Sequence, residues 1–302
     1  MEATAKNAAK TDFDSGHEDV IHSAAFNYHG TLLATSSSDK TVRIFKTTTN
    51  NGTQSYVLQD VLKDHTAPIW HVQFSHPKYN LLATCGYDKQ VIIYKYADHW
   101  QKVYQYNGQK SMNQVEFADS EYGLVIAAAS SDGSVVLIYY DEASKQWSTD
   151  QFEAHHLGCT SLSFVPYIKP NALNNPKDDT PSELRLITGG CDNKVILWTR
   201  QVGEGQAKWT PKPIGSCTDW VRDVCCAPSL GLPGHFIAVC SQDKHVYIYS
   251  TQDYNEFKIQ KIALKDVVWR VNWSLVGQIL AASCGDNKVV VVNIGIHVSA
   301  TS

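Results

Sequence analysis

The amino-acid sequence predicts an all-β fold built from six like units, and three observations predict it. Six times an Asp closes a run of small polar residues and opens a stretch of alternating β-formers, at Asp39, Asp88, Asp132, Asp192, Asp243 and Asp286. The intervals are 49, 44, 60, 51 and 43 residues. A period in the forties with this turn chemistry is the signature of a six-bladed β-propeller of the WD-repeat type. The composition, 43% hydrophobic and 19% charged, is that of an ordinary β-leaning globular chain. Propellers of this kind mostly offer surfaces to partners, so binding faces take precedence over catalytic groups.

Each repeat is predicted to supply short antiparallel strands punctuated by Gly, Asn and Asp. In the first, strands are expected over 20–26, 31–36 and 41–45, with an outer strand near 56–62. The second gives 69–74, 81–85, 90–94 and 102–106, and the third 113–117, 124–129 and 134–139. The fourth gives 160–164, 184–188 and 194–198, the fifth 221–226, 236–240 and 245–249, and the sixth 268–273, 279–283 and 288–292. The long third interval, 60 residues, has a visible cause. Residues 166–183 (PYIKPNALNNPKDDTPSE) are Pro-, Asn- and Asp-rich without periodicity, and read as a surface loop inserted in repeat four. The expected organisation is an N-terminal segment over 1–13 and one propeller over 14–302.

Several function classes are disfavoured. A net charge of -4 does not supply the basic stripe of a nucleic-acid groove. No apolar run approaches the ~18 residues of a membrane-spanning helix, and the start lacks an apolar signal core, which predicts a cytosolic chain. Eight Cys occur without a CxxC pair or zinc-ligand spacing, so they are expected as reduced, buried thiols. In Cys225-Cys226 the alternation of strand side chains turns at least one into a blade face. No cofactor or metal is expected.

Around the turn Asp, the repeats carry a polar set. A His precedes the inner strand, a Ser or Thr lies four residues before the Asp, and a Trp six after it. The Asp is expected to accept from turn N–H groups and from the His, which donates onward to the hydroxyl, which meets the indole N–H. Buried polar atoms need such partners. Repeat four has the full set, His155, Thr188, Asp192 and Trp198. Repeat one has His17, Thr35 and Asp39, and repeat two His65, Thr84 and Asp88. Repeats three, five and six keep Asp132, Asp243 and Asp286. A constellation repeated around the fold holds turns rather than forming several hydrolase triads, and no phosphate loop, zincin motif or nucleophile elbow occurs. His155-His156 is not read as a metal pair, because neighbours on an extended chain point opposite ways.

Some segments are more distinctive. Gly16-His17-Glu18-Asp19-Val20-Ile21-His22, Pro68-Ile69-Trp70-His71-Val72, Asp219-Trp220-Val221-Arg222-Asp223-Val224 and Val268-Trp269-Arg270-Val271-Asn272-Trp273-Ser274 resemble the small propeller subunit shared by the COPII vesicle outer coat and the Y-shaped scaffold of the nuclear pore. The resemblance covers about residues 16 to 292. It implies a non-catalytic scaffold whose six blades stay open and are completed by a seventh, donated in trans. The implied donors are the COPII outer-coat rod protein and an α-helical Y-complex nucleoporin, and the family also joins a nutrient-sensing complex on lysosomes or vacuoles. It implies a place in ER-to-Golgi transport on the cytoplasmic side of the ER membrane and at nuclear pores, peripheral to membranes. The sequence departs from the family at Val292-Asn293, where Trp-Lys is usual, and at Cys225-Cys226, where Ala-Trp is usual.

If the blades stay open, the faces of the terminal blades meet the partner. The candidates are Ile21, Phe26, Leu33, Val42 and Ile44 on blade one, and Val268, Val271, Trp273, Leu280, Val289 and Val291 on blade six. Alternation leaves open which set faces outward. Ile294, Ile296 and Val298 are candidates for a short outer strand of blade six. The alternative reading is a closed adaptor or substrate receptor, for instance in ubiquitin ligation.

Overall fold

The computed structural model describes residues 12–50, 53–167, 183–201, 208–228 and 234–294. Most of the 1–13 segment, most of the 166–183 insertion, Ile296 and Val298 lie outside the described residues. The chain divides into two compact units, 1–108 and 109–302.

Unit one holds two antiparallel four-stranded blades. Blade one is β1 (Ile21–Phe26), β2 (Leu32–Ser37), β3 (Val42–Asn50) and β4 (Thr53–Leu62). Blade two is β5 (Ile69–Phe74), β6 (Leu81–Gly86), β7 (Gln90–Tyr96) and β8 (Trp100–Asn107). Their core joins Ala34, Val42, Ile44 and Leu62 to Ile69, Val72, Leu82 and Ile92.

Unit two holds four blades. Blade three is β9 (Met112–Phe117), β10 (Leu124–Ser130), β11 (Ser134–Asp141) and β12 (Gln146–Glu153). Blade four is β13 (Cys159–Phe164), β14 (Arg185–Gly190), β15 (Lys194–Gln201) and β16 (Lys208–Ser216). Blade five is β17 (Val221–Cys226), β18 (His235–Ser241), β19 (His245–Thr251) and β20 (Lys258–Ala263). Blade six has three strands among the described residues, β21 (Val268–Trp273), β22 (Ile279–Cys284) and β23 (Val289–Asn293). The fold class is the all-β, six-bladed WD-repeat propeller.

One turn recurs between the second and third strands of every blade. The residue after the turn Asp is left-handed each time: Lys40, Lys89, Gly133, Asn193, Lys244 and Asn287. This closes a tight hairpin whose extra residue suits the strand twist. The Asp side chain then accepts the N–H two residues on, as from Thr41 to Asp39 (2.9 Å) and from Ser134 to Asp132 (2.9 Å). At Gly133 space excludes a side chain, since a Cβ there would lie 1.7 Å from the His155 carbonyl oxygen.

Successive blades of unit two do not share a hydrogen-bonded ladder. Their first strands run parallel and are joined by side chains. Leu162 N–H donates to Gln114 Oε1 (3.1 Å) and Phe164 N–H to Glu116 Oε1 (3.3 Å). One blade further, Val224 N–H donates to Ser161 Oγ (3.0 Å) and Cys226 N–H to Ser163 Oγ (3.1 Å). Between blades five and six, Val271 N–H donates to Asp223 Oδ2 (3.1 Å) and Trp273 Nε1–H to the Cys225 carbonyl (3.0 Å). These rungs satisfy inner-strand donors that a ladder would otherwise have to take.

Candidate functional site

Three buried polar sets hold turns. His17 Nδ1 lies 2.7 Å from Asp39 Oδ2 and its Nε2 2.8 Å from Thr35 Oγ1. His65 repeats this with Asp88 and Thr84, both at 2.8 Å. His155 lies 2.8 Å from both Asp192 and Thr188, and Trp198 Nε1–H donates to Thr188 Oγ1 (3.0 Å). Burial pushes the His155 imidazole down, against the pull of Asp192, so the ring is neutral. Nδ1–H then donates to Asp192 and the Thr188 hydroxyl donates to Nε2, the reverse of the direction expected from sequence. Burial works against ionisation of Asp39, yet hydrogen bonds from Thr41, His17 and Glu18 hold its carboxyl well below the usual range. Asp243 is held down to about 2 by hydrogen bonds from Tyr247 and Thr218, which outweigh burial. Asp132 bonds Ser134, and Asp286 lies 3.4 Å from Lys288. No cluster of metal-ligating side chains occurs among the described residues. His156 points away from His155, toward Glu153 (3.2 Å).

All eight thiols are free. Cys225 packs into the core between blades five and six, and Cys226 into that between blades four and five. Burial pushes both thiols up, so they are poor nucleophiles.

The exposed apolar surface of blade six is concentrated on one face. Val268, Val271, Trp273 and Leu280 are buried with blade-five residues Ala238, Val246 and Ile248. Val290, Val292 and Ile294 pack against the same core. The alternate residues face the other way: Val289 is 66% exposed, Val291 64%, and Ile279 and Asn272 are also exposed. Register places Val291, Ala281 and Asn272 in one cross-strand row and Val289, Ser283 and Arg270 in another, with the β22 residue between the other two each time. The structure therefore divides the sequence-derived set, leaving Val289 and Val291 outward. Among the described residues, β23 has no neighbouring strand on its outer side.

Blade one shows the same division. Val42 and Ile44 face blade two. Phe26, Leu33, Phe45 and Leu58 form one cross-strand row on the opposite face. Leu33 is buried, while Phe26 is 51% exposed and Ile21 is exposed. Residues ahead of blade one lie over part of this row. Phe13 meets Phe45 edge-on (5.1 Å) and stacks on Tyr56 (4.3 Å), and Arg43 Nη1 donates to the Ser15 carbonyl (3.3 Å). Sequence reasoning missed Phe13; the signal was one aromatic in an otherwise polar stretch. It also missed Leu58 and Ile279, whose outward direction depends on strand register.

A second surface feature lies at the entry to blades five and six. The Arg222 guanidinium sits over the rings of Trp220 (5.2 Å) and Trp269 (4.7 Å) and donates to Gln242. Both indoles are exposed. Arg222 and Trp269 are the extra residues of β-bulges, since the pairing register shifts between Val221 and Asp223 and between Val268 and Arg270.

Residues 10–46 and 56–95 match the WD domain, G-beta repeat family. The chain is 41% identical over 288 residues to the protein SEC13 homolog of Drosophila melanogaster, covering 92% of this chain and 78% of that one. It is 36% identical to the protein transport protein SEC13 of Cryptococcus neoformans, covering 91% of each. It is also 36% identical to the protein transport protein sec13 of Emericella nidulans, covering 93% of each.

Proposed function

We propose that this chain, which belongs to the SEC13 family of WD-repeat proteins, is a structural subunit of protein transport that completes an elongated coat protein by accepting one of its β-blades. As a member of this family the chain is a non-catalytic, structural protein. The relatives named for protein transport support a COPII-type role, between the ER and the Golgi. The finer reading is ours. The outer-coat rod protein of the vesicle coat is the donor, its blade packs on the outward faces of the terminal blades, and an α-helical nucleoporin uses the same surface at the nuclear pore. A nutrient-sensing complex on lysosomes or vacuoles is a third user.

One observation carries this reading: blade six presents Val289, Val291 and Ile279 outward on a sheet that has three strands among the described residues. Branched apolar residues on a pleated surface suit burial under another sheet rather than water. Phe26 and Leu58 on blade one add a second surface of the same kind. The test is affinity purification of the tagged chain from its own cells. A rod-like coat protein or Y-complex nucleoporin recovered near one to one and retained in high salt is the expected result. A monomer, or recovery of ubiquitin-ligase subunits alone, refutes it in favour of a closed adaptor.

A further inference from the structure

The β-bulge in the first strand recurs in every blade. The register shift falls across His22, Trp70, Asn113, Thr160, Arg222 and Trp269 in turn. A bulge re-aims one side chain, and in blades one, three, four and five it reaches the following blade. His22 meets the Trp70 ring (4.6 Å). Asn113 Nδ2–H donates to the Cys159 carbonyl (2.8 Å), the Thr160 hydroxyl to the Val221 carbonyl (2.7 Å), and Arg222 stacks on Trp269. The residue after the bulge is Gln114, Ser161 or Asp223 in blades three to five, and it accepts a backbone N–H from the next blade. Two residues later, Glu116 and Ser163 do the same.

Blade six carries Trp269, Arg270 and Asn272 at these three positions. Trp269 is 48% exposed, and Asn272 is exposed with no side-chain hydrogen bond among the described residues. Arg270 differs in kind. Where its counterparts accept, a guanidinium can only donate. It spends one nitrogen on Asp223 at 3.5 Å, and that carboxylate already accepts from Ser161, Val224 and Val271.

Resting on the donated-blade reading, we infer that Trp269, Arg270 and Asn272 form the recognition strip for the first strand of the partner's blade, and that this strand carries a carboxylate opposite Arg270. The strand runs parallel to β21, as first strands do throughout unit two. Asn272 Oδ1 accepts one of its backbone N–H groups, Arg270 takes its carboxylate with the fork geometry of guanidinium pairs, and Trp269 is covered by its bulge residue. Val289 and Val291 supply apolar area beside the strip, and the strip supplies register and selectivity.

The experiment is titration of purified full-length variants against the outer-coat rod protein, with the melting temperature of each variant read alongside. Trp269→Ala and Asn272→Ala alter exposed side chains. Arg270→Gln removes the charge. Val289→Glu with Val291→Glu disrupts the apolar face. The expected result is about tenfold to a hundredfold weaker binding for Arg270→Gln, weakening beyond fivefold for Trp269→Ala, and recovery of part of the loss in Arg270→Lys. If the valine variant abolishes binding while Trp269→Ala, Asn272→Ala and Arg270→Gln stay within twofold, the strip is wrong and the donated blade stands. If all variants bind like the parent, both fall. If Arg270→Gln does not fold, Trp269→Ala and Asn272→Ala decide by the same thresholds. A chain that dimerises alone, and becomes monomeric in Trp269→Ala, assigns the strip to self-association and overturns the inference.

Discussion

Thr188 accepts the Trp198 indole N–H and donates to His155 within a buried set. Thr188→Val keeps the shape and leaves both partners unsatisfied, which is expected to cost about 2–5 kcal/mol in chemical denaturation. Glu116 gives a pH signature. Burial pushes its carboxyl up to about 8, although the Phe164 N–H and the Ser163 hydroxyl pull it down. The folded chain therefore holds a proton between about pH 4.5 and pH 8 that the unfolded chain has released. More protons on the folded side make stability fall as pH rises through that window, by up to about 1.4 kcal/mol per pH unit. Glu116→Gln is expected to remove this contribution, so that parent and variant diverge progressively in melting scans from pH 5 to pH 8. The polar sets of repeats one, two and four were legible because their spacing repeats. The charge state of Glu116 was not, since its burial comes from the neighbouring inner strand.

Strands were legible wherever β-formers alternate between Asp-centred turns, and most boundaries moved by a residue or two, but β3 runs five residues further, β4 starts three earlier, β15 ends three later, and the outer strands β12, β16 and β20 were not placed. The outward side of each blade was not legible. Alternation separates Val289 and Val291 from Val290 and Val292 without saying which pair meets blade five. The contrast is measurable. Leu280→Ala opens a cavity between blades five and six and is expected to destabilise by about 2–5 kcal/mol. Val291→Ser, on the exposed face, is expected to stay within about 0.5 kcal/mol in the isolated chain while weakening partner capture. The bulges were equally hidden. One extra residue per first strand becomes visible only once each strand is registered against its neighbour, and their recurrence gives Arg222 and Trp269 a meaning beyond a surface stack.

For the whole molecule, repeat count and turn chemistry led to the six-bladed fold class, and the distinctive Trp/Arg segments led to the family. The donated blade makes a thermodynamic prediction. A ligand that binds only the folded chain stabilises it in proportion to the logarithm of its concentration. The melting temperature of this chain is expected to rise steadily with added rod protein. A flat titration in differential scanning calorimetry contradicts the proposal.

The side-chain rungs between parallel first strands also bear on how the protein avoids unwanted company. A bare strand edge accepts almost any extended peptide, because main-chain groups are alike in every sequence, and that is the route to fibrous aggregation. A join written in Gln, Ser, Asp and Arg does not zip onto an arbitrary strand. It reads its neighbour one residue at a time, so a stray sheet that matches only in hydrophobicity finds no place to lock.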